Sequence, residues 1–414
     1  MKKLIALFLL LTLCLPLLVA CASGDAGGGY YESPAATGAG ESTDGNDAQE
    51  QVRIPAGQLT AAEWNDNEQY AEWLKLFETV ETEQGNEISG AYAPYVTQKK
   101  PWNLPFDNRI TVSVYEGEAP VAGAKVTLTS NENDNSVIYA AVTNAKGVAY
   151  LFGDVEDGTI YVTSGDASTM QAYAGEETVE VQLQGASQKQ NVIEIMFVID
   201  TTGSMRDEME YLKAEIDDVI GRVKEATGAE VRLALLFYRD EGDDYVTRYF
   251  DFTTNIQAQQ DNLKAQSSKG GGDFPEAVHK ALDEAVSKQW STGNVTKLLF
   301  HVLDAPPHET EKIASTYQSA IREAAENGIR IIPVASSGID GETEYLLRSE
   351  ALLTGGTYTF LTDDSGIGSS HFDPTISGQY TVELLNSLLV RLIREFHTGE
   401  DIPPVDWRQE VGSK

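Results

Sequence analysis

Asp200-Thr201-Thr202-Gly203-Ser204 follows directly on the apolar run Val192-Ile193-Glu194-Ile195-Met196-Phe197-Val198-Ile199, so a carboxylate and two hydroxyls emerge together where a buried strand ends. That combination outlines a cation site. Residues 200, 202 and 204 face one way if the backbone stays extended, and Gly203 permits the turn. Two further pieces arrive later in the chain. One is Gly270-Gly271-Gly272-Asp273-Phe274-Pro275-Glu276; the other is Asp304, at the end of Leu298-Leu299-Phe300-His301-Val302-Leu303. Three distant loops thus offer hard oxygen ligands at equivalent strand ends. Magnesium takes six such oxygens at about 2.0–2.1 Å, keeps some waters and is seldom caged entirely by protein, which leaves room for a partner group.

Each residue also has a plain structural role open to it. Asp200 could cap a strand end, and Asp273 could cap a helix that begins at Pro275, a residue suited to the first helical position. His308, in Asp304-Ala305-Pro306-Pro307-His308, is a loop histidine within reach of the carboxylates, either exposed or a donor to them. His301 alternates within a buried strand and reads as a satisfied core residue. His279, His371 and His397 have no mutual spacing that suggests zinc. The acidic stretches Asp240-Glu241-Gly242-Asp243-Asp244 and Asp363-Asp364-Ser365-Gly366 could hold a second cation, but read better as solvated connectors, since neither has the ligand order of an EF-hand. No Gly-x-Ser-x-Gly, Walker loop or dinucleotide fingerprint is present.

The elements that must position these residues alternate buried strand with amphipathic helix, the α/β signature. After Ser204, the residues Met205, Met209, Leu212, Ile216, Val219 and Val223 recur every three or four places and end at Gly228, as a helix with a C-terminal glycine should. Strands are predicted at 231–238, 249–252, 296–303, 329–334 and 357–361. Helices are predicted near 275–288, 309–327, 342–353 and 382–396. Right-handed connections make the strands parallel, with crossover helices on both faces.

Ahead of this unit the period is two. Ile110, Val112 and Val114 alternate with Thr111, Ser113 and Tyr115, and Ala124, Val126 and Leu128 repeat the pattern. Further strand-like runs at 138–142, 148–152, 159–162 and 179–183 predict a small β-sandwich. Pro120-Val121-Ala122-Gly123-Ala124-Lys125-Val126 and Thr143-Asn144-Ala145-Lys146-Gly147-Val148-Ala149 resemble the carboxypeptidase regulatory-like modules, which implies a structural spacer. Residues 57–105 form an aromatic-rich lead-in. In it Trp64, Tyr70, Trp73, Leu74 and Phe77 fit a short amphipathic helix after the cap-like Thr60, with the aromatic rings sealing an interdomain surface.

The chain has 414 residues, length for two or three domains, and a formal charge of −34. So acidic a chain is a poor ligand for nucleic acid or anionic headgroups, which need clustered Lys and Arg. Its two cysteines, Cys14 and Cys21, both lie near the start, so the body holds no disulfide or thiolate metal site. Lys2 and Lys3 precede an apolar run interrupted by Pro16, the pattern of a cleaved export signal over residues 1–20. Leu18-Val19-Ala20-Cys21 resembles the bacterial lipobox, which implies lipidation of Cys21 and attachment to a membrane in the cell envelope, outside the cytoplasm. Residues 21–56 are rich in Gly, Ala, Ser, Asp and Glu and read as a flexible linker.

Taken in order and spacing, the three pieces around Asp200, Asp273 and Asp304 resemble the von Willebrand factor type A domain and its metal-ion-dependent adhesion site. The resemblance covers 190–398 and leaves 399–414 as a tail. It implies a doubly wound, Rossmann-like α/β domain following the β-sandwich of 106–186 in a multidomain chain. It further implies Mg2+, or Mn2+ or Ca2+, bound through Thr202 and Ser204 directly and through Asp200 and Asp304 directly or by way of water. One position would remain for an acidic group on a protein ligand. Asp273 departs from the form of the family with a threonine in the third loop. Three carboxylates around one dication would leave a local formal charge near −1, tightening metal retention while weakening the pull on an acidic partner. The function expected is non-catalytic adhesion to a protein partner, with the oligomeric state left open. The alternatives are a metal-dependent hydrolase with His308 or Glu276 as base, and an envelope spacer with a stabilising cation.

Overall fold

A computed structural model describes residues 54–81, 87–132 and 136–412. The expected export signal, Cys21 and nearly all of the linker lie outside the described residues. No helix among the described residues is long and apolar enough to cross a membrane.

The lead-in departs from the helix expected of it. Its first element is a strand, β1 (Thr60–Trp64), and helix α1 covers only Tyr70–Lys75. Trp64 therefore ends a strand instead of opening a helix. Asn65 accounts for the break: its Oδ1 accepts from the Asn67 backbone N–H at 3.0 Å, a side-chain-made turn that competes with helix. Ala61 and Ala62 are fully buried and face opposite core layers, as successive residues of a strand between two layers must. A short hairpin follows, β2 (Thr79–Glu81) and β3 (Glu87–Ser89). The aromatic residues do seal a surface. Trp73, Phe77 and Tyr92 pack on Tyr345 with ring centroids 5.5–6.5 Å apart, and Phe106 stacks on Phe77.

The alternating segments make eight strands: β4 (Arg109–Glu116), β5 (Ala119–Pro120), β6 (Lys125–Ser130), β7 (Ser136–Val142), β8 (Val148–Phe152), β9 (Gly158–Ser164), β10 (Ala167–Tyr173) and β11 (Thr178–Gln182). One sheet has the order β10-β9-β6-β7; in the other, β4 pairs with β11, β5 and β8. Ile110, Val112, Val114, Val126 and Leu128 all point into the core between them. Strand β10 carries no apolar alternation and lies at an edge, held by backbone pairing with β9 and by Tyr173 at its end, which is buried in the core. Period-two reading had no signal for it.

The third part is an eight-stranded sheet. Its strands are β12 (Val192–Asp200), β13 (Glu230–Tyr238), β14 (Thr247–Thr253), β15 (Thr296–Leu303), β16 (Ile329–Ala335), β17 (Tyr358–Leu361) and β18 (Glu383–Leu384), joined by β1 from the lead-in. The order is β14-β13-β12-β15-β16-β17-β1-β18. Strands β13, β12, β15, β16 and β17 run parallel as expected, while β14 and β1 are antiparallel. The helices are α2 (Arg206–Thr227), α3 (Ile256–Lys264), α4 (Val278–Val286), α5 (Glu311–Glu326), α6 (Gly341–Thr354), α7 (Leu385–Thr398) and α8 (Trp407–Gly412). Successive residues of β12 serve opposite layers: Ile193, Ile195, Phe197 and Ile199 pack with α2 and α7, and Met196 and Val198 with α4 and α5. The topological switch falls between β12 and β15, where chain direction around the sheet reverses and ligands gather in such folds.

These parts are stitched together. Tyr139 Oη donates to Leu353 O at 2.8 Å, Arg322 to Ile138 O at 2.9 Å and Asn294 to Ala122 O at 2.8 Å. The Glu215 carboxylate on α2 accepts from the backbone N–H groups of Gly57, Gln58 and Leu59 at 2.8, 2.7 and 3.0 Å, fixing the entry to β1. Glu215→Ala removes the partner of all three donors, of which that of Leu59 is buried, and a buried unmet donor costs about 1–3 kcal/mol. Chemical denaturation is expected to report a loss of about that size. Glu215→Gln, which keeps an acceptor, is expected to lose less.

Candidate functional site

Asp200 is the last residue of β12 and is fully buried, held there by the strand's pairing on both sides. Thr201 turns the chain back toward β13, donating to Tyr238 O through both its backbone N–H (2.9 Å) and its Oγ1 (2.8 Å). This leaves Thr202 free to face Asp200. Its N–H and Oγ1–H donate to Asp200 Oδ1 at 2.8 and 2.7 Å, and its Oγ1 lies 3.1 Å from Ser204 Oγ. Asp304, one residue past β15, is also buried, and lies close enough to Ser204 and Asp200 to interact with both. Four of the five residues singled out in the sequence therefore meet across the switch point: Asp200, Thr202, Ser204 and Asp304.

The third loop reaches this group through its backbone. Gly203 N donates to Gly270 O at 3.0 Å, and Lys269 N donates to Thr201 O at 3.0 Å. A Cβ at Gly203 would lie 2.9 Å from Gly270 O, so close an approach requires the glycine. Asp273, by contrast, is exposed. It caps no helix either: α4 starts at Val278, later than expected, with Ala277 at its cap. The carboxylate that this loop buries is Glu276, 3% exposed. Its backbone N–H donates to Pro306 O at 2.9 Å, in a short parallel bridge with Pro307 just past Asp304.

Electrostatics mark the group as short of positive charge. Burial, and then the nearby charge of Asp304, raise the Asp200 carboxyl well above its ordinary range, although Thr202 offsets part of this by hydrogen bonding. Burial likewise raises Asp304, opposed by Ser204 and reinforced by Glu208 and Asp207. Glu276 is pushed up to about 9, first by burial and then by Asp200, Asp240, Asp304 and Asp243. Asp200 Oδ2, Asp304 Oδ1 and Glu276 Oε2 are buried without a hydrogen-bond partner. Unpaired carboxylate oxygens out of water are costly, and a dication among them would offset that cost. Two carboxylates and two hydroxyls, with no sulfur and no ring nitrogen, are the donor chemistry of magnesium, manganese or calcium. Among the described residues, no group of three or more His, Cys, Asp or Glu is placed to hold a metal ion. The fit therefore rests on the mixed carboxylate and hydroxyl set.

Several neighbours had no visible signal in the sequence. His371 sits between helix α2 and the loop after β17, with Nδ1 2.7 Å from Asp363 Oδ1 and Nε2 3.2 Å from Glu208 Oε1. Burial lowers its pKa, but the two carboxylates outweigh burial and leave it raised. Positions 208, 363 and 371 are joined only by the fold. His308 Nε2 lies 2.8 Å from Asp240 Oδ1, and Asp243 Oδ2 accepts from Gly271 N at 2.8 Å, so the acidic loop that read as a solvated connector packs against the site. His301 is buried with Nδ1 3.0 Å from Glu350 Oε2, while its Nε2 has no partner; it is half satisfied, not fully as expected.

With this geometry in hand, comparison with known proteins gives the class. Residues 194–357 match the family model of the von Willebrand factor A domain. The chain is thus a multidomain protein in which a β-rich region precedes a mixed α/β domain that is similar, over those residues, to the von Willebrand factor A domain. An ariadne-like RING finger protein of Acanthamoeba polyphaga mimivirus is 24% identical over 132 residues, covering 32% of this chain and 13% of that protein. An alpha-protein kinase of Dictyostelium discoideum is 26% identical over 143 residues, covering 34% and 22%. The chain thus spans less than a quarter of the length of either relative. Among solved structures, the conserved hypothetical protein BatB of Bacteroides thetaiotaomicron is similar at 13% identity and TM-score 0.35, covering 49% of this chain and 98% of that one. The pilus adhesin SpaC of Lactobacillus rhamnosus GG, in its open conformation, is similar at 12% identity and TM-score 0.36, covering 59% and 33%.

Proposed function

We propose that this is a lipid-anchored protein of the bacterial cell envelope that grips a protein partner through a divalent cation held by Asp200, Thr202, Ser204 and Asp304. The observation that carries the reading is the convergence of these four side chains at the switch point, with Asp200 Oδ2 and Asp304 Oδ1 buried and unpartnered. Asp200 and Asp304 would hold the ion, and Thr202 and Ser204 would complete the set. The ion supplies a positive point that a partner group can ligate. Ser204 is the exposed member, which supports partner contact on its side of the site. Magnesium, with its taste for carboxylate, hydroxyl and water, suits the set best.

Charge bears on the partner. Asp207 in the first turn of α2, and Glu241, Asp244, Asp273 and Asp363 in the connections, are all exposed at the same ends of the parallel strands. Such a rim attracts basic surface and repels acidic surface, so the acidic contact implied by the family is disfavoured here beyond a single ligating group. Catalysis is not part of the proposal. His308, one base of the hydrolase alternative, has its Nε2 2.8 Å from Asp240 Oδ1.

Envelope extract passed over immobilised protein tests the proposal. Wild type is expected to retain a partner in Mg2+ and release it in EDTA, while Asp200→Ala and Ser204→Ala retain none. Equal capture by either variant, with the fold intact by circular dichroism, would reject adhesion through this site.

A further inference from the structure

The charges that act most strongly on Glu276 are those of four acids, Asp200, Asp240, Asp304 and Asp243. Two of them are already occupied, Asp240 by His308 and Asp243 by the Gly271 N–H. Glu276 is nonetheless 3% exposed, and its Oε2 has no hydrogen-bond partner. Gly271 shows where the carboxylate points: a Cβ built there would lie 2.8 Å from Glu276 Oε1 and 3.3 Å from Thr202 Cβ. The carboxylate and Thr202 thus flank the same glycine. The bond from Glu276 N to Pro306 O, 2.9 Å, pins the same residue beside the loop of Asp304. Asp273 has none of these features; its side chain is exposed.

Resting on the cation reading above, we infer that Glu276, and not Asp273, is the third carboxylate of the site, and that it acts through a water on the ion. Direct ligation is disfavoured because no three acidic or imidazole side chains among the described residues are spaced to share one ion. Magnesium and manganese keep waters, and a carboxylate one layer out accepts from them and holds their orientation. Glu276 is therefore a positioning residue. It raises the negative charge around the ion, so the site holds its cation firmly.

The test is titration of the full chain with Mn2+, followed by calorimetry and by water proton relaxation, for wild type, Glu276→Gln and Asp273→Asn. Glu276→Gln keeps the shape of the side chain, and folding is checked by its thermal transition without metal. It is expected to weaken Mn2+ binding by about tenfold or more, the usual effect of losing an outer partner of a metal site. The number of waters on the bound ion is expected to stay the same, and Asp273→Asn to bind within about twofold of wild type. Wild-type affinity in Glu276→Gln, a larger loss in Asp273→Asn, or one added water in Glu276→Gln would overturn the inference while leaving the cation site standing. Failure of folded wild type to bind Mn2+ at all would overturn the site and the inference together.

Discussion

Addition of Mg2+ at about one hundred times its dissociation constant is expected to stabilise the α/β domain by about 2.7 kcal/mol near pH 8, raising Tm by about 5–10 °C, and by clearly less near pH 5. The pH dependence follows from the buried acids. Asp200 and Glu276 have pKa values raised above ordinary values of 3.8 and 4.5, Glu276 to about 9. A group raised on folding contributes stability that is complete below its ordinary value and is lost as pH rises through the folded value. The cation-free domain should therefore weaken from about pH 4 toward pH 9, as burial and mutual repulsion act on ionised carboxylates. A dication removes that repulsion, and it competes with protons for the same oxygens, so its effect grows with pH. Asp200→Ala is expected to lose the increment at every pH. Differential scanning calorimetry in EDTA and in Mg2+ decides the matter; an increment independent of pH, or no shift with any divalent ion, would count against the site.

Asp66→Ala is expected to destabilise the protein by about 3–5 kcal/mol, the usual penalty for stranding one partner of a buried ion pair. Asp66 Oδ2 and Oδ1 accept from Arg348 Nε and Nη2 at 2.9 and 2.6 Å, and both side chains are only 1% exposed. Arg348 also donates to Tyr92 Oη at 3.0 Å and Thr375 O at 2.5 Å, tying the lead-in, α6 and the loop after β17 at one point. Burial raises the Asp66 carboxyl even though Arg348 pulls it down, so desolvation outweighs attraction on that side. Removing both charges should then cost less than removing one. In urea unfolding, Asp66→Leu with Arg348→Met is expected to be more stable than Asp66→Ala; a double variant as weak as the single one would mean that packing, not the stranded charge, sets the loss.

The third loop shows where reading along the chain runs out. Asp273 and Glu276 are three residues apart in Gly-Gly-Asp-Phe-Pro-Glu, and nothing in that string says which carboxylate turns inward. The decision comes from the bridge of Glu276 to Pro307, a contact made by chain beyond the next strand. Residues 60–64 make the same point: aromatic spacing suggested a helix, yet the open edge of β17 needed a partner, and backbone pairing overrode local preference. Where a pattern is long and one-sided the reading held. Strand β15 falls on the expected bounds, and α2 ends at Gly228, whose φ of 64° only glycine adopts without strain.

By itself the sequence determined the layers: apolar runs long enough to require cover on both faces, helical stripes between them, and an earlier stretch of period two. It also determined that Asp200, Thr202 and Ser204 share a strand end, because that is a matter of spacing within one turn. Asp304 was legible too, as the end of a second buried strand, whereas tertiary structure alone decided that Glu276 rather than Asp273 is buried beside them and that a strand from the lead-in completes the sheet. Local spacing acts through fixed bond geometry and is written in the chain. Pairing between distant segments is settled by which burial leaves the fewest polar groups unmet, a balance over the whole fold.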